Sequence, residues 1–201
     1  MSETARWEER YRTGDTPWDT GQPSSELKRV VAQEQIRPGR AIEMGCGNGA
    51  NAVWLAKQGF DVTAVDLSSA AISKARALAV SENVDVRFLC ADVLHLPDLG
   101  TYDFIFDRGC YHVVRRTDVQ SYQRTLRQVT HAGSTCLVLA GNAREPHQPG
   151  PPVVSEHEIR EELGAVFEIV WLREFRFDQV EAVGVRFLAW SCLMRRAADA
   201  G

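Results

Sequence analysis

Basic residues do not outnumber acidic ones in this 201-residue sequence, its cysteines form no close pair, and no apolar run is long enough to span a membrane. Each absence closes off a class of function. The 23 Lys and Arg against 27 Asp and Glu leave a net charge of −4. Nucleic acid is normally gripped by a basic face, so a nucleic-acid partner is not expected. The five cysteines, Cys46, Cys90, Cys110, Cys136 and Cys192, contain no C-x-x-C and are odd in number. That excludes a disulfide framework and predicts a reduced, cytoplasmic chain. Crossing a bilayer takes about 20 successive apolar residues, so no membrane span is expected. Residues 1–12 are polar and charged and lack the apolar core of a secretory signal. The five histidines have no metal-ligand spacing, so no metal is expected. Proline is sparse except in one place: four of the eight lie within residues 142–154, which predicts a long loop there, of the kind that is often functional.

What is present is an ordinary globular composition, 44% hydrophobic and 25% charged, enough for one domain across residues 1–201. Strand-like apolar runs at 40–44, 61–65, 84–90, 102–106 and 135–140 alternate with helix-like stretches at 50–58, 68–82 and 117–130. Buried parallel strands read as continuous apolar runs because helices cover both faces of their sheet. Alternation of this kind implies right-handed β-α-β units and an α/β, doubly wound sheet. Ser155, with Glu158 three residues on, predicts a capping box for a helix to residue 163. Runs at 166–175 and 184–194, with only residues 177–183 between them, predict two antiparallel neighbours. The total is seven strands, mostly parallel. Residues 39–195 form this core. Residues 1–38 carry two helical stretches, 3–12 and 24–35, that the core does not need and that would suit a lid over the strand ends.

The first strand runs into Glu43-Met44-Gly45-Cys46-Gly47-Asn48-Gly49 and then a helix. Glycines let a backbone turn tightly and approach a ligand, and the helix behind offers free N–H groups. Asp66 ends the next strand, where a carboxylate reaches ribose hydroxyls. This much fits a nicotinamide-dependent oxidoreductase as well as any other adenosyl binder. Two details narrow it. The spacing is G-x-G-x-G rather than G-x-G-x-x-G, and Glu43 precedes the turn. A carboxylate there repels a pyrophosphate and suits a cationic ligand. Asp92 follows the third strand, placed to accept from an adenine amino group, with the Val93 N–H beside it. In an open α/β sheet such strand ends converge on one crevice. Taken singly, Glu43 also reads as a salt-bridged strand end and Asp92 as a turn residue.

E-M-G-C-G-N-G, V-D-L-S and A-D-V together resemble the Rossmann-like S-adenosylmethionine-dependent methyltransferases over residues 40–195. The opening W-E-E-R-Y-R-T-G-D-T-P-W-D-T-G-Q-P, residues 7–23, is similar to the thiopurine, thiol, halide and tellurite methyltransferases. The resemblance implies S-adenosylmethionine as cofactor, held by Trp18, Glu43, Gly45, Cys46, Gly47, Asn48, Asp66, Leu67, Asp92, Val93 and Asp107. An indole face over a sulfonium gains cation–π attraction, which suits Trp18; a packing staple is its other reading. Trp7 and Tyr11, at i and i+4, read as packing.

The segment after the fourth strand, Phe104-Ile105-Phe106-Asp107-Arg108-Gly109-Cys110-Tyr111-His112, is not the Asp/Asn-Pro-Pro-Tyr pattern of amino-group methylation on bases or proteins. It would open beside the transferred methyl group. Asp107, Arg108 and His112 are the catalytic candidates, Asp107 or His112 as base if one is needed. Tyr111, His112 and Arg144 are the substrate candidates. The expected acceptor is a small molecule, a thiol or other soft nucleophile; a small aromatic or heterocyclic O- or N-acceptor is the alternative. A non-catalytic cofactor-binding module also remains open.

Overall fold

The computed structural model describes residues 2–145, 150–178 and 184–198. The chain begins with α1 (Glu3–Thr13) and α2 (Ser25–Gln33) and then enters the sheet. β1 (Arg40–Met44), α3 (Ala50–Lys57), β2 (Asp61–Asp66), α4 (Ser69–Ser81) and β3 (Arg87–Cys90) make one half. β4 (Tyr102–Arg108), α5 (Tyr111–Gln128), β5 (Thr130–Asn142), β6 (Val153–Val154), α6 (Glu156–Gly164), β7 (Glu168–Arg176) and β8 (Leu188–Arg195) make the other. The strand order is β3-β2-β1-β4-β5-β8-β7, with β6 pairing β5 off this path. β3, β2, β1, β4 and β5 are parallel neighbours, and β8 runs antiparallel to both β5 and β7.

The expected doubly wound, mostly parallel sheet with an antiparallel terminal strand is therefore present. It has an eighth strand because the proline-rich 142–154 stretch ends in the two-residue β6. Residues 146–149 of that stretch, and 179–183 of the expected short connection, lie outside the described residues. β8 begins at Leu188 and not at residue 184, and β7 at Glu168 and not at 166. Val166 and Phe167 close the turn after α6, each N–H bonding the Leu163 carbonyl at 3.0 Å. The helix expected at 117–130 is present, and a further helical stretch from Tyr111 runs into it across a kink at Asp118, with consequences for the site.

Side chains alternate across each strand, and this sorts the core into two layers. Ile42, Met44, Val65, Ile105 and Val138 pack with Tyr111, Tyr122 and Leu126 of α5 and Ile159 and Leu163 of α6. Ala41, Val62, Ala64, Phe104 and Phe106 pack on the other side with Leu27 and Val30 of α2, Ala52 and Leu55 of α3, and Ile72 and Ala75 of α4. On β1 and β4 the same alternation puts Glu43 in phase with Ala41, under α2 and α3. It puts Asp107 in phase with Ile105, under α5, and Arg108 in phase with Phe106, on the lid side. Among the described residues, no helix is long and apolar enough to cross a membrane.

Candidate functional site

The carboxyl ends of β1, β2 and β4 carry the glycine turn and most of the buried acids. Gly45 and Gly47 both have positive φ, +68° and +53°. A Cβ on Gly45 would lie 2.7 Å from the Cys110 Cβ, and one on Gly47 2.7 Å from the Tyr11 hydroxyl. The turn is laced to β2: Cys46 N–H bonds the Val65 carbonyl at 2.8 Å, and Gly47 N–H bonds Asp66 Oδ2 at 2.8 Å. Asp66 Oδ1 accepts from Ser68 N–H at 2.9 Å. Burial raises the Asp66 carboxyl, and these backbone donors oppose it. Each oxygen keeps a second lone pair for a further donor. Leu67 is half-buried beside it, its carbonyl accepting from the Cys90 thiol.

Glu43 is 1% exposed. Its Oε1 accepts from Asn51 Nδ2 at 2.9 Å, whereas Oε2 is buried with no partner. Burial pushes its pKa up to about 8, against the hydrogen bond from Asn51 and the charge of Arg108. An orphaned buried carboxylate oxygen is costly unless a ligand brings a donor, so this oxygen fits an incoming ammonium. Asp92 is half-exposed beyond β3, with Oδ1 on Leu94 N–H at 2.9 Å and Oδ2 3.2 Å from His95 Nδ1. Val93 is buried in the core.

α1 lies across α4 and the turn. Glu8 receives Ser68 Oγ at 2.8 Å, Ser69 Oγ at 3.0 Å and Ala70 N–H at 3.2 Å. It thus supplies a negative charge at the α4 N-terminus, where free N–H groups gather. Lys74 Nζ donates to the Tyr11 carbonyl at 2.5 Å. Tyr11 is 5% exposed, and its hydroxyl rests on Gly47 and receives Trp18 Nε1 at 3.3 Å. The Arg10 guanidinium sits 4.2 Å from the Trp18 ring centroid, and Trp7 meets that ring edge-on at 5.4 Å. Asn48 Nδ2 binds the Asp19 carboxylate, leaving Asn48 Oδ1 buried without a partner. Glu8, which the sequence did not single out, and Tyr11, which it read as packing, both lie against the turn and the α4 end. The shared helix face of Trp7 and Tyr11 was visible, but not the α4 end that the helix meets.

The acceptor candidates separate. Arg108 comes to the lid side. Its Nη1 donates to the Trp18 carbonyl at 3.2 Å, and its guanidinium lies 5.1 Å from the Phe177 ring centroid. Burial lowers its pKa, opposed by the fields of Asp178, Asp19 and Glu43. Among the described residues it makes no ion pair within 4.0 Å. Asp107 is fully buried beneath α5. It accepts Cys110 N–H at 3.0 Å, Tyr111 N–H at 2.9 Å and Tyr122 Oη at 2.7 Å. Burial raises its pKa to about 6. It anchors the start of α5 through the Cys110 and Tyr111 N–H groups.

Three of the acceptor-side candidates are engaged with partners away from the glycine turn. Tyr111 is 0% exposed, and its hydroxyl donates to Glu162 on α6 at 2.7 Å, inside the α5–α6 layer. His112 is buried and its Nδ1 accepts the Gly141 N–H at 3.0 Å, which puts the ring proton on Nε2. Burial lowers its pKa to about 3, so it is a poor base. Arg144 divides its guanidinium between Glu156 at 2.7 Å and Glu174 at 3.0 Å, at 58% side-chain exposure.

An open α/β sheet with these strand order and strand-end acids is the architecture of a Rossmann-like S-adenosylmethionine-dependent methyltransferase. The chain belongs to the thiopurine S-methyltransferase family, whose model matches residues 2–195, lid included. It is 31% identical over 165 residues to a probable thiol methyltransferase 2 of Arabidopsis thaliana, covering 79% of this chain and 73% of that one. It is 30% identical over 149 residues to a 2-heptyl-1-hydroxyquinolin-4(1H)-one methyltransferase of Mycobacteroides abscessus, covering 72% of this chain and 65% of that relative. A protein solved in work on conversion of a disulfide bond into a thioacetal group during echinomycin biosynthesis shares the fold. Its TM-score is 0.85 at 24% identity, over 98% of this chain and 94% of that one. The oxidoreductase alternative left open by the glycine turn gives way to this family.

Proposed function

We propose that this chain transfers a methyl group from S-adenosylmethionine to a small acceptor that reacts as a soft anion, a thiolate first among them. The observation that carries this is Arg108: a half-buried side chain that makes no ion pair within 4.0 Å among the described residues, feels the charge of Glu43 and lies against the Phe177 ring. A cation held partly out of water favours an anionic guest, and the ring gives that guest an apolar wall.

Glu43 would receive the cofactor's ammonium, Asp66 its ribose hydroxyls, and Asp92 with the Val93 N–H its adenine edge. The backbone of Gly45, Cys46, Gly47 and Asn48 would line its path, with Leu67 beside the ribose. Trp18 and Tyr11 would cover it. When bound, the cofactor supplies an electrophilic methyl carbon on a sulfonium. The residues of the chain then have to orient and to exclude water. Orientation alone is worth about 7–11 kcal/mol in well-aligned reactions. Attack of an anion on a cation annihilates charge, so a site from which water is excluded would favour it. A thiolate needs no strong base. That agrees with Asp107, whose oxygens already hold three donors, and with His112, whose Nδ1 lone pair is occupied.

O-methylation of a small hydroxylated heterocycle is the second reading, favoured by the hydroxyquinolinone relative and by the Phe177 wall. The five free cysteines fit a reducing compartment, and we place the protein in the cytoplasm with no nucleic-acid or membrane partner. The test is product formation with S-adenosylmethionine across sulfide, aryl thiols, selenite, tellurite, iodide and hydroxylated heterocycles. Turnover highest with thiols supports the first reading. Turnover confined to hydroxyl acceptors replaces it with the second, and cofactor binding without turnover on any acceptor supports a non-catalytic module.

A further inference from the structure

Asn51 uses both ends of one amide to join the cleft to the lid. It is the second residue of α3, half-buried just past the glycine turn. Its Nδ2 donates to Glu43 Oε1 at 2.9 Å, and its Oδ1 accepts the Ser24 N–H at 2.8 Å. A carboxylate only accepts and a backbone N–H only donates, so these partners allow a single orientation of the amide. Ser24 is the N-cap of α2, its Oγ meeting Leu27 N–H at 3.5 Å. The next residue, Ser25, donates to Asp178 through its N–H at 2.9 Å and its Oγ at 2.5 Å. A continuous polar chain therefore runs from Asp178 beyond β7, through the α2 N-terminus and Asn51, to Glu43 on β1. It ends on Glu43 Oε1 and leaves the buried Oε2 without a hydrogen-bond partner.

Resting on the assignment of Glu43 to the cofactor ammonium, we propose that Asn51 is a positioning residue that holds the Glu43 carboxylate ready for a cation only while the lid is docked. The amide orients the carboxylate and favours its ionised form; the lid orients the amide. The other groups facing Glu43 are Asp107 and Arg108 from β4, the Cys46 thiol from the turn and the Ala52 N–H from α3. Burial raises the Glu43 carboxyl, and the Asn51 hydrogen bond is the strongest influence opposing it. Losing that donor moves the ionisation of Glu43 to higher pH.

The experiment is calorimetric titration of the full chain with S-adenosylhomocysteine, which binds without methyl transfer, between about pH 6 and 9, bracketing the raised Glu43 value. The proteins are the native chain, Asn51→Asp, Asn51→Ala and Glu43→Gln, each with a thermal melt to verify folding. Asn51→Asp keeps an acceptor for Ser24 but sets a second carboxylate against Glu43. Its affinity at neutral pH should fall about tenfold or more, as for loss of a charge-assisted hydrogen bond. The midpoint of its pH dependence should move upward from that of the native chain. Asn51→Ala should weaken binding similarly and speed hydrogen exchange at residues 19–25 in the bound state. Native affinity and midpoint in both Asn51 variants overturn the proposal. Equal weakening at every pH with an unmoved midpoint also overturns it, since that pattern is packing alone. Native affinity in Glu43→Gln brings down the underlying Glu43 assignment instead. Weak binding with flattened pH dependence in Glu43→Gln upholds that assignment, whatever Asn51 does. If Asn51→Ala does not fold, the near-isosteric Asn51→Asp decides.

Discussion

Glu43 and Asp107 sit at the ends of neighbouring strands, Glu43 opposite Phe106 and Met44 opposite Asp107, and both are buried carboxylates. Their surroundings treat them differently. Glu43 faces α3, takes one side-chain donor and keeps an oxygen without a partner. Asp107 faces α5 and is held by two backbone N–H groups and the Tyr122 hydroxyl. Burial carries Glu43 to about 8 and Asp107 only to about 6, because Asp107 recovers more of its lost hydration through protein donors. The contrast extends to their neighbours. On the Glu43 side Arg108 makes no ion pair within 4.0 Å among the described residues, whereas the α5 side uses Tyr111 and His112 to hold α6 and β5. The side chain beside α1 and α2 keeps hydrogen-bonding capacity to spare, whereas the one beneath α5 is spent on holding that helix.

Replacing Arg108 should break the open side most. Arg108→Ala is expected to lower kcat/KM for an anionic acceptor by about 100-fold, in line with about 3 kcal/mol for a charge-assisted contact in a dry site. S-adenosylhomocysteine affinity should change less than about threefold. Equal losses in both would place Arg108 on the cofactor instead.

Glu43→Gln should cost about tenfold in S-adenosylhomocysteine affinity and stabilise the ligand-free chain at pH 8. The folded pKa of Glu43 lies above its ordinary value of 4.5. Its contribution to stability is therefore complete below pH 4.5 and is lost as pH rises through about 8. Removing the titration should raise stability at pH 8 by more than about 1.4 kcal/mol, the worth of one unit of displacement. Denaturant melts at pH 5 and pH 8 check this; an unchanged difference between them would show that Glu43 is not the titrating group. The native chain should also release a proton when the cofactor binds near pH 7, seen as a calorimetric heat that varies with the buffer's ionisation enthalpy.

On the closed side the effects are structural and smaller. His112→Phe should destabilise the fold by about 1–3 kcal/mol by orphaning the Gly141 N–H. The pH–rate profile of the native enzyme should show no limb near the ordinary histidine value, since His112 stays neutral above about pH 3. A limb near pH 6.5 that disappears in His112→Phe would restore it as a base. Arg144→Ala removes two exposed ion pairs and should change stability by less than about 1 kcal/mol. A large loss of turnover there would bring residues 142–145 into the acceptor site.

Much of the cofactor side was legible in the sequence, because its signals are local. The strand-turn-helix at 40–58, the acid ending β2 and the capping box at Ser155 each depend on neighbours a few residues away. Glu8 and Tyr11 were not legible, since what matters is the α4 N-terminus and Gly47, some 36 to 62 residues on. Nor was the helical stretch from Tyr111 to the kink at Asp118. Asp107, Arg108, Tyr111 and His112 looked like one reactive cluster, but Asp107 begins a helix at Tyr111 and turns two of the four into the core.

The sequence by itself determined the parallel α/β order, the glycine turn and the row of acids after successive strands, because periodicity and turn chemistry act over a few residues. Only the tertiary structure decided which of those side chains remain available. Alternation along a strand sends adjacent residues to opposite faces. One step in register separates Asp107, sealed under α5, from Arg108, open beneath the lid, and what covers each face is set by distant parts of the chain.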